Sequence, residues 1–331
     1  MRPFFSIIIP TYNPGKYLIR MLDSILHNKC IDKIEIIISD DRSTENIDSI
    51  VNMYKGKVNI RKIENNYHAG FPRNGRQHGS EVEEGTWFCF ADQDDYFIDN
   101  AFDGLYEYIT TNDIHDYIIT DFIEEKVDTG QRVLQDKSKG WTHGKLFEKT
   151  FWNKYHLAYD DLQYCEDINL TAKLNCVIDE NGIKPNEYDK IIYVWCRRNN
   201  SLADEDYFRR SMIDYVKGTL GVLINYIEKH KNNEELHNIF CVKFLATMLH
   251  VYFYHQSSIL DGKELLLKTI LTMQPFYTRF KEDTGVTNDG IAYAFTTDLR
   301  ELYQKTRSED YSQIPFVETI SFKDWLNSYL D

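Results

Sequence analysis

The stretch Phe5-Ser6-Ile7-Ile8-Ile9-Pro10-Thr11-Tyr12-Asn13-Pro14 decides how the rest of this chain is read. Phe5 to Ile9 is a short, continuous apolar run. A parallel strand covered by helices on both faces requires such a run, whereas a half-solvated strand would alternate. Asn13-Pro14 then supplies an N-cap and a first-turn proline. Leu18, Met21, Leu22, Ile25 and Leu26 follow at helical spacing, which predicts an amphipathic helix over residues 14–28. The alternation continues outward. Residues 34–39 read as a second buried strand, Ile47, Ile50, Val51 and Tyr54 as a helix, and residues 58–63 as a third strand. A polar, glycine-bearing segment spans 65–79, and a fourth strand over 86–91 ends in Asp92-Gln93-Asp94-Asp95. This order predicts an α/β fold with a Rossmann-like, doubly wound, mostly parallel sheet and right-handed crossovers. Ligands of such sheets bind beyond the carboxyl ends of the strands. Thr11-Tyr12-Asn13, Asp40-Asp41 and Asp92 to Asp95 all fall there, so they are expected to converge on one crevice.

Further on, a helix is expected over 101–109, strands over 117–122 and 131–134, short helices over 148–155 and 166–174, and a last strand over 191–196. Long helical segments follow at 207–229, 234–254, 263–272 and 298–305. The expected organisation is therefore a catalytic α/β domain over 1–203 and a helical domain over 204–331, and 331 residues suffice for two cores. In the helical part, Phe240, Phe244, Leu245, Met248, Val251 and Tyr252 form a stripe read as core, with self-association into a homo-oligomer left open. Residues 239–254 are interrupted by Lys243 and His250 and read as too short to span a bilayer, and the N-terminus lacks the pattern of a signal peptide.

A net charge of −14 disfavours broad contact with nucleic acid or an anionic bilayer, and leaves room for a local basic pocket and a divalent cation. Cys30, Cys89, Cys165, Cys176, Cys196 and Cys241 form no CxxC pair and read as reduced, buried thiols, so a cytoplasmic protein is expected, with membrane-peripheral attachment left open. No GxGxxG follows the first strand, and GxxxxGK[ST], GxSxG and HExxH are missing. Nicotinamide dehydrogenases, P-loop NTPases, α/β-hydrolases and zincins are thereby disfavoured.

Three carboxylates in four residues, Asp92 to Asp95, repel one another unless a cation or hydrogen-bond donors compensate them. At a buried strand's end, hard oxygen ligands suit Mg²⁺ or Mn²⁺. The spacing fails as an EF-hand, and a solvated acidic turn is the plain alternative. Asp40-Asp41 either meets a base or ribose or joins a capping network with Ser43 and Thr44. Arg73-Asn74 enters a helix, where an arginine can meet a phosphate. Glu166-Asp167 opens a helix and is favoured there by the dipole, or supplies a general base. Trp195 to Ser201 offers charge to a diphosphate leaving group. His68, His78 and His143 stand alone and read as structural.

The ordered motifs Ser6–Asn13, Ser39–Thr44, Pro72-Arg73-Asn74, Ala91–Asp95 and Glu166-Asp167 resemble the family 2 inverting glycosyltransferases with a GT-A fold. The likeness covers residues 4–201 and leans toward enzymes that glycosylate bacterial wall teichoic acids. It implies a metal-dependent transfer of a hexosyl or N-acetylhexosaminyl group from a nucleotide-sugar, a UDP-sugar above all, to a glycan, a teichoic-type polymer or another hydroxyl acceptor. By the resemblance, Pro10, Tyr12 and Asp41 would hold the uracil or ribose with Asn66 nearby, and Arg73 would reach toward the nucleotide. Asp92 and Asp94 would form the DXD pair, Asp94 ligating Mn²⁺ or Mg²⁺ and Asp92 facing ribose or metal. Glu166 would contact the donor sugar, Asp167 would be the base, and Arg197 and Ser201 would secure the diphosphate. Arg42 stands where glycine is common after the paired aspartates. The rival readings are a sugar nucleotidylyltransferase, which would need a glycine-rich loop after the first strand, and a non-catalytic carbohydrate- or partner-binding module.

Overall fold

A computed structural model describes residues 2–137, 141–198, 205–256, 263–294 and 320–331. The chain divides into two compact units, Met1–Asp161 with Ile183–Leu202, and Leu162–Gly182 with Ala203–Asp331.

The first unit is built on one sheet. Its strands are β1 (Phe5–Thr11), β2 (Ile34–Asp40), β3 (Asn59–Glu64), β4 (Trp87–Phe90), β5 (Tyr96–Phe97), β6 (Tyr117–Lys126), β7 (Gln131–Gln135), β8 (Lys145–Glu148) and β9 (Asn186–Arg197). They run in the order β3-β2-β1-β4-β8-β6-β9-β5, with β7 on β6. The first four are mutually parallel, as the buried runs predict, and every residue of β1 and β2 is buried. Register pairs Thr11 with Asp40 and Ile8 with Phe90, so the residues after β1, β2 and β4 leave the sheet at the same edge. Beyond β4 the sheet is mixed, because β8 inserts antiparallel between β4 and β6. Neither β5 nor β8 was readable in advance: β5 has two residues, and Lys145 breaks the apolar pattern of β8.

The helices of this unit are α1 (Lys16–Leu26), α2 (Ile47–Tyr54), α3 (Pro72–Val82), α4 (Ala101–Asn112) and α5 (Lys149–Lys154). The start of α1 differs from expectation. Asn13 does not cap α1; Gly15, at φ 53°, holds that position, and the Asn13 carboxamide oxygen accepts from the Thr44 and Glu45 amides, tying the tip of β1 to the loop after β2. The polar, glycine-bearing segment, in which Arg73-Asn74 was expected to enter a helix, is helical from Pro72, and its glycines fit it against the sheet. A Cβ at Gly79 would stand 2.2 Å from Ile8 Cγ2, and one at Gly75 would stand 2.9 Å from Pro10 Cβ. One turn apart, the two glycines let α3 lie directly on β1.

The second unit contains α6 (Glu166–Asn181), α7 (Glu205–Lys229), α8 (Glu234–Gln256), α9 (Lys263–Thr284) and a short C-terminal helix, Phe322–Tyr329. Cys176 of α6 shares a core with Met212, Val216 and Leu220 of α7, and a Cβ at Gly218 would meet Leu162 Cδ1 at 2.7 Å and Asn169 Cβ at 3.1 Å. The helix bearing Glu166 and Asp167 therefore groups with the helical unit, where a single boundary near residue 203 had been expected. The stripe from Phe240 to Tyr252 is core: Phe240, Phe244, Met248, Val251 and Tyr252 are buried. Its helix is longer than expected, and by length and composition Glu234–Phe253 would suffice to cross a membrane, so the reading that it is too short does not hold. Helix α9 continues through Pro275 to Thr284, past the expected end at 272. The helix expected over 298–305 lies outside the described residues.

All six cysteines are free thiols, and all but Cys241 are buried. Burial pushes the Cys89 thiol up to about 12, which keeps it protonated and inert.

Candidate active site at the carboxyl ends of the strands

At the tip of β2, the buried Asp41 donates its amide N–H to the Thr11 carbonyl at 2.8 Å, which locks the ends of β1 and β2 together. Its carboxylate accepts from Asn65 Nδ2 at 3.0 Å, the Ala69 amide at 3.0 Å and the Gly70 amide at 2.9 Å, and His68 Nδ1 lies 2.8 Å from it. Asp41 thus shapes the loop after β3. His68 in turn stacks on Tyr12, with centroids 4.3 Å apart and ring planes 25° apart. Tyr12 is 41% exposed, so the stack presents a flat aromatic surface at the strand tips, of the kind on which a planar base rests. Arg42 takes the left-handed conformation at φ 64°, which explains why glycine suits that place, and donates to the Asn66 carbonyl at 2.8 Å. Pro10 is buried beneath Gly75.

The acidic turn after β4 is tied to this cluster. The Gln93 side chain accepts from the Tyr12 amide at 2.8 Å and donates to the Tyr12 carbonyl at 3.1 Å. On either side of Gln93 the aspartates have separate surroundings. Asp92 Oδ1 accepts from the Arg76 guanidinium at 2.6 Å, and Asp92 Oδ2 is 3.4 Å from His143 Nε2. Burial raises the Asp92 pKa, but Arg76 and His143 outweigh it and hold the group well below the usual carboxylate range. Asp94 is pushed the other way by burial and by Asp92, opposed by an ion pair with Arg198. Asp95 is wholly enclosed: its oxygens accept from the Tyr193 hydroxyl and, at 2.7 Å, the Cys196 amide. Burial and the charges of Asp92 and Asp94 drive its pKa upward.

His143 belongs to this site, although the sequence offered no motif around it. Its ring lies between Tyr193, 5.5 Å away at 24°, and Trp195, 5.6 Å away at 18°. Asp92, Asp95 and His143 each bring one potential ligand atom within 4.8 Å of the others. Arg76 was also passed over, since a lone arginine on a helix carries no spacing signal; Arg198 lay within the segment Trp195 to Ser201 expected to offer charge, but its neighbour Arg197 was singled out.

Other expected residues have different partners. Arg73 donates to the Asp160 carbonyl at 3.2 Å and pairs with Asp161, so it braces the end of the first stretch of this unit. Arg197 pairs with Glu124 at 3.1 Å; its neighbour Arg198 is the one at the acidic turn. Glu166, buried, and Asp167, half-buried, occupy the first turn of α6 in the second unit, after Cys165 at φ 55°. Ser201 lies outside the described residues.

Comparison with known proteins fits this arrangement. The profile of glycosyl transferase family 2 matches residues 6–165. The glycosyltransferase GlyG of Streptococcus pneumoniae is 22% identical over 72% of this chain and 91% of its own. The poly(ribitol-phosphate) beta-N-acetylglucosaminyltransferase TarP of Staphylococcus aureus is 30% identical over 56% of this chain and 53% of its own length. The crystal structure of S. aureus TarS 1-349 in complex with UDP-GlcNAc superposes with a TM-score of 0.64 at 17% identity, covering 96% of this chain and 97% of that one. The fold is the one that TarS has.

Proposed function

This chain is a family 2 glycosyltransferase, and from that premise we propose that it transfers a sugar from a UDP-sugar to a hydroxyl of a glycan or teichoic-type polymer, with inversion at the anomeric carbon. The observation that carries the reading is the joining of three strand tips, through Gln93 and His68, into one edge that holds an aromatic stack beside an acidic turn. The names of the relatives favour the same donor and acceptor class: TarP acts on poly(ribitol-phosphate), TarS binds UDP-GlcNAc, and the minor teichoic acid biosynthesis protein GgaA of Bacillus subtilis is 38% identical over 31% of this chain and 24% of its own.

In this proposal Tyr12 and His68 receive the uracil, and Asp41 holds the loop that frames it, with Pro10 and Asn66 at its edges. Asp94, with Asp92, would hold Mn²⁺ or Mg²⁺. The chemistry of the two carboxylates fits, because oxygen ligands suit a hard divalent cation and Arg76 favours the ionised form of Asp92. When bound, the cation supplies Lewis-acid neutralisation of the charge that builds on the diphosphate. Asp95 is spent on Tyr193 and Cys196 and fixes the turn rather than the ion.

Asp167 is the proposed base, and Glu166 the donor-sugar contact. As the acceptor oxygen bonds to the anomeric carbon, its proton passes to the Asp167 carboxylate. The bond to the diphosphate breaks, and its electron pair leaves with UDP. UDP release from a panel of UDP-sugars, with Mn²⁺ or Mg²⁺ and then with chelator, tests the whole reading; no release with any donor overturns it. Asp167→Asn is expected to slow transfer by about 10²–10⁴-fold, the usual worth of a general base, while UDP still binds. Transfer at the unaltered rate removes Asp167 from that role.

A further inference from the structure

The acidic turn is crowded with cations. Arg198 donates to Asp94 Oδ2, and Arg20 donates to the Asp94 carbonyl oxygen. Both guanidinium groups lie over the ring of Tyr17, at 4.4 Å for Arg198 and 5.8 Å for Arg20, and Arg20 also lies 5.2 Å over Tyr96. Among the described residues, the Nε–H of each is buried without a hydrogen-bond partner. A buried, unanswered donor is costly, and here two arginines that carry one both bond to Asp94, Arg198 at its carboxylate and Arg20 at its backbone carbonyl. The described partners of Arg198 are Asp94 and the Tyr17 ring, both within reach of a side chain that is 31% exposed.

We propose that Arg198 is a tether that competes with the divalent cation for Asp94 until a diphosphate arrives and gives the arginine another partner. The inference rests on the assignment of Asp94 as metal ligand made above. A cation placed on Asp94 would face the Arg198 guanidinium at close range, and like charges repel there unless an anion lies between them. A diphosphate has oxygens for both, and its acceptors suit the planar fork of arginine. Cation binding and nucleotide binding are thereby coupled, and coupling of this kind is reciprocal: each ligand strengthens the other by the same factor.

The test measures Mn²⁺ binding to the full chain by titration calorimetry and by the electron paramagnetic resonance of free Mn²⁺, with and without UDP and with no sugar donor present. In the native protein UDP is expected to tighten Mn²⁺ binding strongly. Arg198→Gln is expected to tighten Mn²⁺ binding in the absence of UDP by about tenfold or more, the factor expected from removing one charge-assisted hydrogen bond to the carboxylate. It is also expected to shrink the enhancement by UDP. Arg197→Gln, which loses the pair with Glu124 but no contact with Asp94, should leave Mn²⁺ binding without UDP within about twofold of native, since its charge is screened and partnered elsewhere. Unchanged or weaker Mn²⁺ binding in Arg198→Gln overturns the tether, as does an equal shift in Arg197→Gln, which would reduce the effect to general charge. Failure of the underlying assignment shows separately: Asp94→Asn would then leave Mn²⁺ binding intact with and without UDP, and the tether falls with it.

Discussion

Replacing Gly79 by alanine tests whether the approach of α3 to β1 holds the acidic turn in place. The new Cβ would lie 2.2 Å from Ile8 Cγ2 and 3.3 Å from Ile8 Cβ, on a side chain that is fully buried and β-branched within a strand. Ordinary carbon contacts begin near 3.5 Å, so α3 must retreat from β1 by about 1.3 Å at this turn. Overpacking of this kind costs about 1–3 kcal/mol, and the helix propensity of alanine returns about 1 kcal/mol, so a net loss of up to about 2 kcal/mol is expected. The same retreat carries Arg76 with it. Its 2.6 Å hydrogen bond to Asp92 stretches beyond bonding distance, which removes the charge that keeps Asp92 ionised against its burial. Urea denaturation measures the first effect and UDP release the second, and they should fall together. Gly290→Ala is the control, since its Cβ meets nothing nearer than Val286 Cγ1 at 3.4 Å; there the exchange should stabilise by about 0.5–1 kcal/mol. A Gly79→Ala protein as stable and as active as the native one refutes the reasoning.

Asn13→Ala withdraws the acceptor shared by the Thr44 and Glu45 amides, and a loss of about 0.5–2 kcal/mol in urea denaturation is expected, as for a lost cap; a change near zero would show that water replaces it. Arg42→Gly relieves a left-handed non-glycine residue worth about 1 kcal/mol but gives up the bond to the Asn66 carbonyl, worth about as much, so stability should stay within about 1 kcal/mol of native while UDP affinity changes through the loosened loop. Glu83 supplies a pH dependence. Burial raises its pKa above the ordinary value, with Lys149 opposing, so the folded state holds the proton more tightly than the unfolded chain. The stability this gives is fully present below the unfolded pKa and is lost as pH rises through the folded one. Glu83→Gln should flatten the decline of folding free energy over that window, and an unaltered slope would assign the decline to other groups.

Most of the sheet unit was legible because each parallel strand is a continuous apolar run, and because β1, β2 and β4 end in polar residues that the register then aligns. What escaped has physical reasons. Strand β5 is too short to carry a period, and the extent of the helix entered at Arg73-Asn74 was hidden because α3 meets the sheet through the absence of side chains at Gly75 and Gly79. Asn13 looked like a helix cap because the sequence shows its neighbours along the chain and hides Thr44, brought close by strand pairing. At the site, Tyr12, Asp41, Asp92 and Asp94 could be named from motif and strand position. His143 and Arg76 could not, since each reaches the turn from a different element with no fixed spacing to it, and Arg198 was covered only as part of the segment Trp195 to Ser201.

The path of the backbone through the two units bears on how such a protein can be inherited. The polypeptide leaves the sheet unit after Asp161, builds α6, comes back for β9 and departs again after Leu202. A gene cut at the second departure would still encode α6 but not the helices α7 and α8 that pack on it, where Asn169 sits against Gly218 and Cys176 is buried. The segment with Glu166 and Asp167 would then expose the apolar face that those helices cover. Any polypeptide exchanged for the part beyond residue 203 would therefore have to offer α6 the same shelter.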